Sequence, residues 1–376
     1  MPRKIIGCIM TMAAAALLWA CKDVPKQPAQ TFAAGFKILQ GEDTSRLYKP
    51  APGKDYYLYY RPVEYDVWYP ATPAPTDTAL QFYDLLHLLE VRANYFTASD
   101  IATGATQMIA QSIVEELGCS DSTKLLHLKT ASFKNAPFAT GKFPVILYLA
   151  SYNGMGYENY SLFERLAKQG YIVVAVSSIG RFPGDMTVKE EDLMEQVNDG
   201  LYAIKMLKDS AHFDMSKLVV MGYSWGSLAG AVALPALQNV ACFVSLDGSE
   251  FHVYNQNREE DVDFELIRMH RLTDTLAIPY LRLSADRRGD SAYKKHAYAY
   301  LQHIRADKQV VYIDSADHGD FSSYPNAVHT SGNCTVTPYY ETVINLVSAY
   351  LNDRVKGQGE FTPLLGKLRG AGVHEE

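Results

Sequence analysis

The sequence predicts an α/β protein with a mostly parallel central sheet flanked by helices, an antiparallel N-terminal entry and helical insertions. Three observations carry that reading. Strand-like and helix-like stretches alternate over about 200 residues after Phe143, the pattern of parallel strands joined by crossover helices. Several strand stretches, such as 145–150 and 171–176, are apolar throughout, as burial on both faces requires. A third signal is local: the strand 218–221 runs into Gly222-Tyr223-Ser224-Trp225-Gly226 and then a small-residue helix. With 376 residues, 48% of them hydrophobic and 20% charged, the chain can bury a large core, which excludes a disordered or coiled-coil protein. A net charge of −7 without a basic run in the body of the chain disfavours nucleic acid as a partner.

The elements follow in order. Residues 1–20 read as a secretion signal, with Arg3 and Lys4 before an apolar stretch too short for a membrane span. Leu18-Trp19-Ala20-Cys21 resembles the bacterial lipobox, which implies a diacylglyceryl group on Cys21 and a protein held at the cell envelope, outside the cytoplasm. Residues 21–50 form a lipidated tether and N-terminal extension. The domain proper is expected over 51–356, entered by strands at 56–60 and 63–69. An insertion at about 75–135 carries helices at 80–91 and 106–117, which read first as ordinary core helices and alternatively as an overhang on the substrate pocket. Strands are expected at 145–150, 171–176, 218–221, 241–246, 278–283 and 309–313, and helices at 160–168, 192–208, 292–304 and 339–351. Arg258 to Glu265 reads as a solvated charged face near the pocket mouth, and 357–376 as a loose tail. With Cys8 removed and Cys21 acylated, Cys119, Cys242 and Cys334 remain; Cys119 with Cys334 is the expected pair, because Cys242 lies in an apolar run. No Cys/His spacing matches a zinc site and no phosphate-binding loop occurs, so neither a metal nor a cofactor is expected.

The chemistry concentrates at Ser224. Glycines two before and two after a serine on a strand-to-helix turn remove side chains that the sharp bend could not hold. A serine hydroxyl needs a base to take its proton, and the base needs a carboxylate to fix its tautomer. His318, a short loop beyond the strand at 309–313, is the expected base, with His329 as a rival. Two aspartates end strands between them: Asp247, among small uncharged residues, and Asp286, beside Arg287 and Arg288. Asp247 is preferred and Asp286 stays as the alternative acid. An oxyanion needs two amides aimed at it. Trp225 supplies one at a helix N-terminus, and Met155, between Gly154 and Gly156 in the loop after 145–150, is expected to supply the other.

The Gly222–Gly226 elbow, the loop 153–156, the entry 61–71 and Phe143-Pro144-Val145 together resemble the α/β-hydrolase superfamily over about residues 56–355. The nearest branch is similar to plasma-type platelet-activating factor acetylhydrolases and dienelactone-hydrolase-like bacterial lipoproteins. That resemblance implies the α/β-hydrolase fold, a Ser224-Asp247-His318 triad and hydrolysis of a carboxylic ester with a short acyl group, whose alcohol side is a lipid, a glycan or a small metabolite. Asp247 lies about two dozen positions beyond Ser224, as in the acetylhydrolase branch. Asn153 replaces a histidine often found before the oxyanion glycine, and Ser224 the cysteine of true dienelactone hydrolases. Two other readings of the same scaffold are a non-catalytic ligand-binding lipoprotein and an exopeptidase.

Overall fold

The computed structural model describes residues 31–48, 58–97, 103–181, 186–287, 289–332 and 339–376. The signal segment, Cys21 and Cys334 lie outside them. Eleven strands among the described residues form one sheet: β1 (Ala33–Leu47), β2 (Tyr60–Ala71), β3 (Ala79–Gln81), β4 (Lys129–Lys134), β5 (Phe143–Leu149), β6 (Ile172–Val176), β7 (Phe213–Tyr223), β8 (Val240–Leu246), β9 (Tyr280–Ala285), β10 (Lys308–Ile313) and β11 (Val373–Glu375). Their spatial order is β11-β10-β9-β8-β7-β5-β6-β2-β1-β4-β3. From β6 to β10 every pairing is parallel, and β2 joins β6 antiparallel.

Burial on both faces explains the continuous apolar strands. Along β5, Val145, Leu147 and Leu149 enter one core with Leu193, Val197 and Leu228, while Ile146 and Tyr148 enter the other with Leu162, Phe163 and Val347. Each such side chain contributes about 1.5–3 kcal/mol when fully buried, so neither face of these strands can turn polar without loss. The chain runs from β5 outward to β6 and then returns to place β7 on the other side of β5. This reversal opens a crevice at the carboxyl ends of β5 and β7, where ligands bind in open α/β sheets.

Several boundaries differ from expectation. The extension before residue 51 is not merely a tether, since β1 pairs with β2 over most of its length and buries Ala34 and Phe36. The insertion begins and ends in strands: β3 pairs with β4, and β4 runs parallel to β1, so the insertion widens the sheet as well as adding helices. Nor is the tail loose. Helix Phe361–Leu368 buries Phe361 against Tyr350, and β11 pairs antiparallel with β10. The charged run read as a solvated face is helix Glu260–Arg271, anchored by buried Phe264 and Ile267. The helix expected at 292–304 divides into Ser291–His296 and a single turn at Tyr300–His303, because the chain between them extends to bridge Val253 through Ala297. Cys119 is disulfide-bonded and Cys242 is a buried free thiol.

Candidate active site

Ser224 stands where β7 ends and helix Trp225–Ala233 begins, with φ 53° and ψ −122°. A serine in that region is strained, and neighbouring contacts hold it there. Its amide donates to Leu246 O at 3.0 Å, and its carbonyl accepts from Ser227 N and Ser249 N. Gly226 has to be glycine, because a Cβ there would lie 1.9 Å from Leu149 O; one on Gly222 would lie 2.3 Å from the backbone of Gly226. Helix and strand ends therefore touch backbone to backbone, and the bend thrusts the hydroxyl outward.

His318 opens a short helical turn, His318–Phe321, after β10, stabilised by a reciprocal cap between Asp317 and Asp320. Its Nε2 lies 2.9 Å from Ser224 Oγ and its Nδ1 lies 2.6 Å from Asp247 Oδ2. Tyr223 fixes the turn from below by donating its hydroxyl to His318 O at 2.9 Å. Asp247 follows β8 with φ 41° and is 3% exposed. Its Oδ1 accepts from Ser284 Oγ at 2.7 Å and Ala285 N at 3.2 Å, and its Oδ2 also accepts from Arg287 at 2.9 Å. Burial alone would raise the Asp247 pKa. The hydrogen bond from His318 and the charges of Arg287 and Arg282 outweigh it, so the carboxyl stays ionised well below its usual range.

The rival residues stand apart from this constellation. Asp286 is exposed at the end of β9, and His329 is exposed on helix Tyr324–Ser331. Arg287, next to Asp286 in the chain, reaches Asp247 at 2.9 Å.

Trp225 and the loop after β5 meet as expected, but with a different residue at the contact. Because Gly226 abuts the end of β5, the first residues after the strand lie nearest the elbow. Tyr152 packs edge-on to Trp225 with ring centroids 6.1 Å apart. Gly154 then closes a turn on Ser151 O and accepts from Ser178 N, drawing the chain inward. Met155 consequently lies buried, its sulfur 3.8 Å from the fully buried Arg92, and it does not line the cavity that opens on Ser224. The residue of this loop that faces the elbow is Tyr152. The paired glycines around Met155 serve close packing against Glu158 and Asp66.

One cavity opens on Ser224, and a second is lined by the chain neighbours of the triad serine and histidine, Tyr223 and Gly319. The first, of about 510 Å³, is bounded by Ser224, His318, His252, Arg258, Arg287 and Tyr293. The other, of about 370 Å³, lies between Tyr152, Tyr223 and Tyr324 on one side and Ile113 and Leu117 of the insertion on the other. The insertion thus lines the second cavity, opposite Tyr223. No group of three or more metal-binding side chains gathers among the described residues, and no helix there is long and apolar enough to cross a membrane.

Sheet order, elbow and the strand-end positions of Asp247 and His318 together define the α/β-hydrolase fold. A family model described as chlorophyllase matches residues 106–249, a stretch that includes Ser224 and Asp247 and stops short of His318. The solved structure of a ferulic acid esterase from Streptomyces cinnamoneus superposes with a TM-score of 0.65 at 18% identity, covering 93% of this chain and 98% of that one. No curated protein is similar enough in sequence to match.

Proposed function

We propose that the protein is a serine hydrolase of carboxylic esters. The observation that carries this reading is the unbroken hydrogen-bonded line from buried Asp247 through His318 to Ser224 on a strained elbow. In this reading Ser224 Oγ attacks the ester carbonyl while its proton passes to His318 Nε2. Asp247 accepts from Nδ1–H, fixes the tautomer that leaves Nε2 free, and stabilises the imidazolium. The negative oxygen of the tetrahedral intermediate is held by the amides of Trp225, the first residue of its helix, and Tyr152. Collapse expels the alcohol, which takes the proton from Nε2. Water then repeats the sequence on the acyl-enzyme, entering past His318, whose side chain is 46% exposed. No step calls for a metal or cofactor.

Support for an ester as substrate comes from the ferulic acid esterase likeness, and for a short acyl group from the resemblance to acetylhydrolases. The lipobox-like run ending at Cys21 supports export and a lipid anchor at the bacterial cell envelope, on the periplasmic side or the cell surface. Turnover of p-nitrophenyl esters of rising acyl length, set beside an aminoacyl p-nitroanilide, tests the function. The expected result is ester hydrolysis that is fastest for acetate and abolished in Ser224→Ala. Preferential anilide cleavage would point to an exopeptidase, and no turnover of either by folded protein would contradict the hydrolase reading.

A further inference from the structure

A carboxyl that the triad does not use lies directly beneath the oxyanion loop. Glu158 is 2% exposed, and its Oε1 accepts from Tyr148 Oη at 2.6 Å and from Ser151 N at 2.8 Å. Its Oε2 pairs with Ser151 Oγ at 2.6 Å. Both carboxyl oxygens are therefore committed to β5 and to the residue immediately before Tyr152. Through its backbone Glu158 also reaches the histidine side of the site, because its carbonyl accepts from Ser323 N at 2.9 Å, two residues past the His318 turn. A buried circuit closes the connection: Ser323 Oγ donates to Tyr340 Oη, Tyr340 donates to Asn159, and Asn159 Nδ2 donates at 2.7 Å to the Tyr148 hydroxyl held by Glu158.

We propose that Glu158 is a positioning residue for the oxyanion site, fixing Ser151 so that the Tyr152 amide faces the carbonyl bound at Ser224 and tying that loop to the segment that carries His318.

The arrangement costs more than packing alone would require. A fully buried carboxyl is expensive to desolvate, and burial raises the Glu158 pKa to about 7 despite the hydrogen bonds from Ser151 and Tyr148 that oppose the shift. An apolar side chain of equal size would fill the space without that penalty. What it could not do is accept from the Ser151 amide and hydroxyl together, and the loop would lose both tethers one residue before the donor. Oxyanion donors act only when their direction is set in advance, so an error of about an ångström there is felt in the chemical step rather than in binding.

The inference rests on the hydrolase reading, and the test separates the two. Wild type, Ser224→Ala, Glu158→Met and Glu158→Gln are compared for p-nitrophenyl acetate turnover, for inhibition by a phenylboronic acid that mimics the tetrahedral intermediate, and for near-UV circular dichroism. Glu158→Met, which keeps the volume and loses both acceptors, is expected to fall about a hundredfold or more in kcat, the scale of a lost oxyanion donor, with KM within about threefold. Its boronate affinity falls alongside. Glu158→Gln, which keeps one acceptor oxygen, is expected to lose about five- to twentyfold in both. A folded Glu158→Met with wild-type kcat, or one whose kcat falls while boronate affinity holds, overturns the proposal. If Glu158→Met does not fold, Glu158→Gln decides, and a Gln variant identical to wild type overturns it. Should wild type itself fail to turn over ester while Ser224→Ala behaves identically, the hydrolase reading fails first.

Discussion

Replacing Asp247 with asparagine should damage the site in a way its neighbours let one work out. The carboxylate serves two sets of donors: His318 Nδ1 and Arg287 on Oδ2, Ser284 Oγ and Ala285 N on Oδ1. Asparagine has one oxygen for both sets. If that oxygen faces Ala285, the amide NH₂ points at Arg287 and at His318, which can accept it only by moving its proton to Nε2. Nε2–H then faces Ser224 and cannot take the serine proton. If the oxygen faces His318, the Ala285 amide loses its acceptor, at about 1–3 kcal/mol for a buried unsatisfied group. Both arrangements also remove the negative charge that stabilises the imidazolium and balances Arg282 and Arg287. A loss of about 10³- to 10⁴-fold in kcat is expected, the scale found when a triad acid is neutralised in place. p-Nitrophenyl acetate turnover by Asp247→Asn and Asp286→Asn, each checked for folding, measures it. Asp286→Asn should stay close to wild type; equal losses in the two variants, or an Asp247→Asn rate within tenfold of wild type, would refute the reasoning.

Two further outcomes are expected. Glu158 has a folded-state pKa raised from 4.5 to about 7, so its contribution to stability is fully present below about pH 4.5 and is lost as pH rises toward 7. Urea unfolding at pH 4.5 and pH 8 should therefore show wild type losing up to ~3 kcal/mol relative to Glu158→Gln, the product of that shift and 1.36 kcal/mol per unit, and a difference that stays constant or reverses would contradict it. Expression in a bacterium that processes lipoproteins should yield palmitate-labelled wild type and unlabelled Cys21→Ser, whereas label persisting in the variant would rule out Cys21 as the anchor.

Much of the site was legible because its parts obey local rules. The elbow needs glycine at 222 and 226 for reasons of backbone contact that no neighbour can relieve, so the motif and the strand before it located Ser224. Asp247 and His318 follow strand ends, and parallel strands deliver their carboxyl ends to one edge of the sheet. What could not be read depends on distant partners. Arg287 pairs with Asp247, forty residues earlier, which no local pattern indicates. Met155 is drawn into the core beyond a turn at Gly154 held by Ser178 on the next strand's loop, which the local spacing does not reveal. Glu158 carried no sequence signal, since its partners Tyr148 and Ser151 are ordinary residues until the fold brings their hydroxyls together. The C-terminal segment, expected to be loose as chain termini commonly are, is docked by two apolar anchors, Phe361 and Leu365, and three residues of strand pairing.

Mass spectrometry of the protein after treatment with a fluorophosphonate probes the central claim without assuming any substrate. A single covalent adduct on the peptide containing Ser224, absent from Ser224→Ala and strongly slowed in Asp247→Asn, is the predicted result. Folded wild type that remains unmodified, or that carries the adduct on another residue, would contradict it.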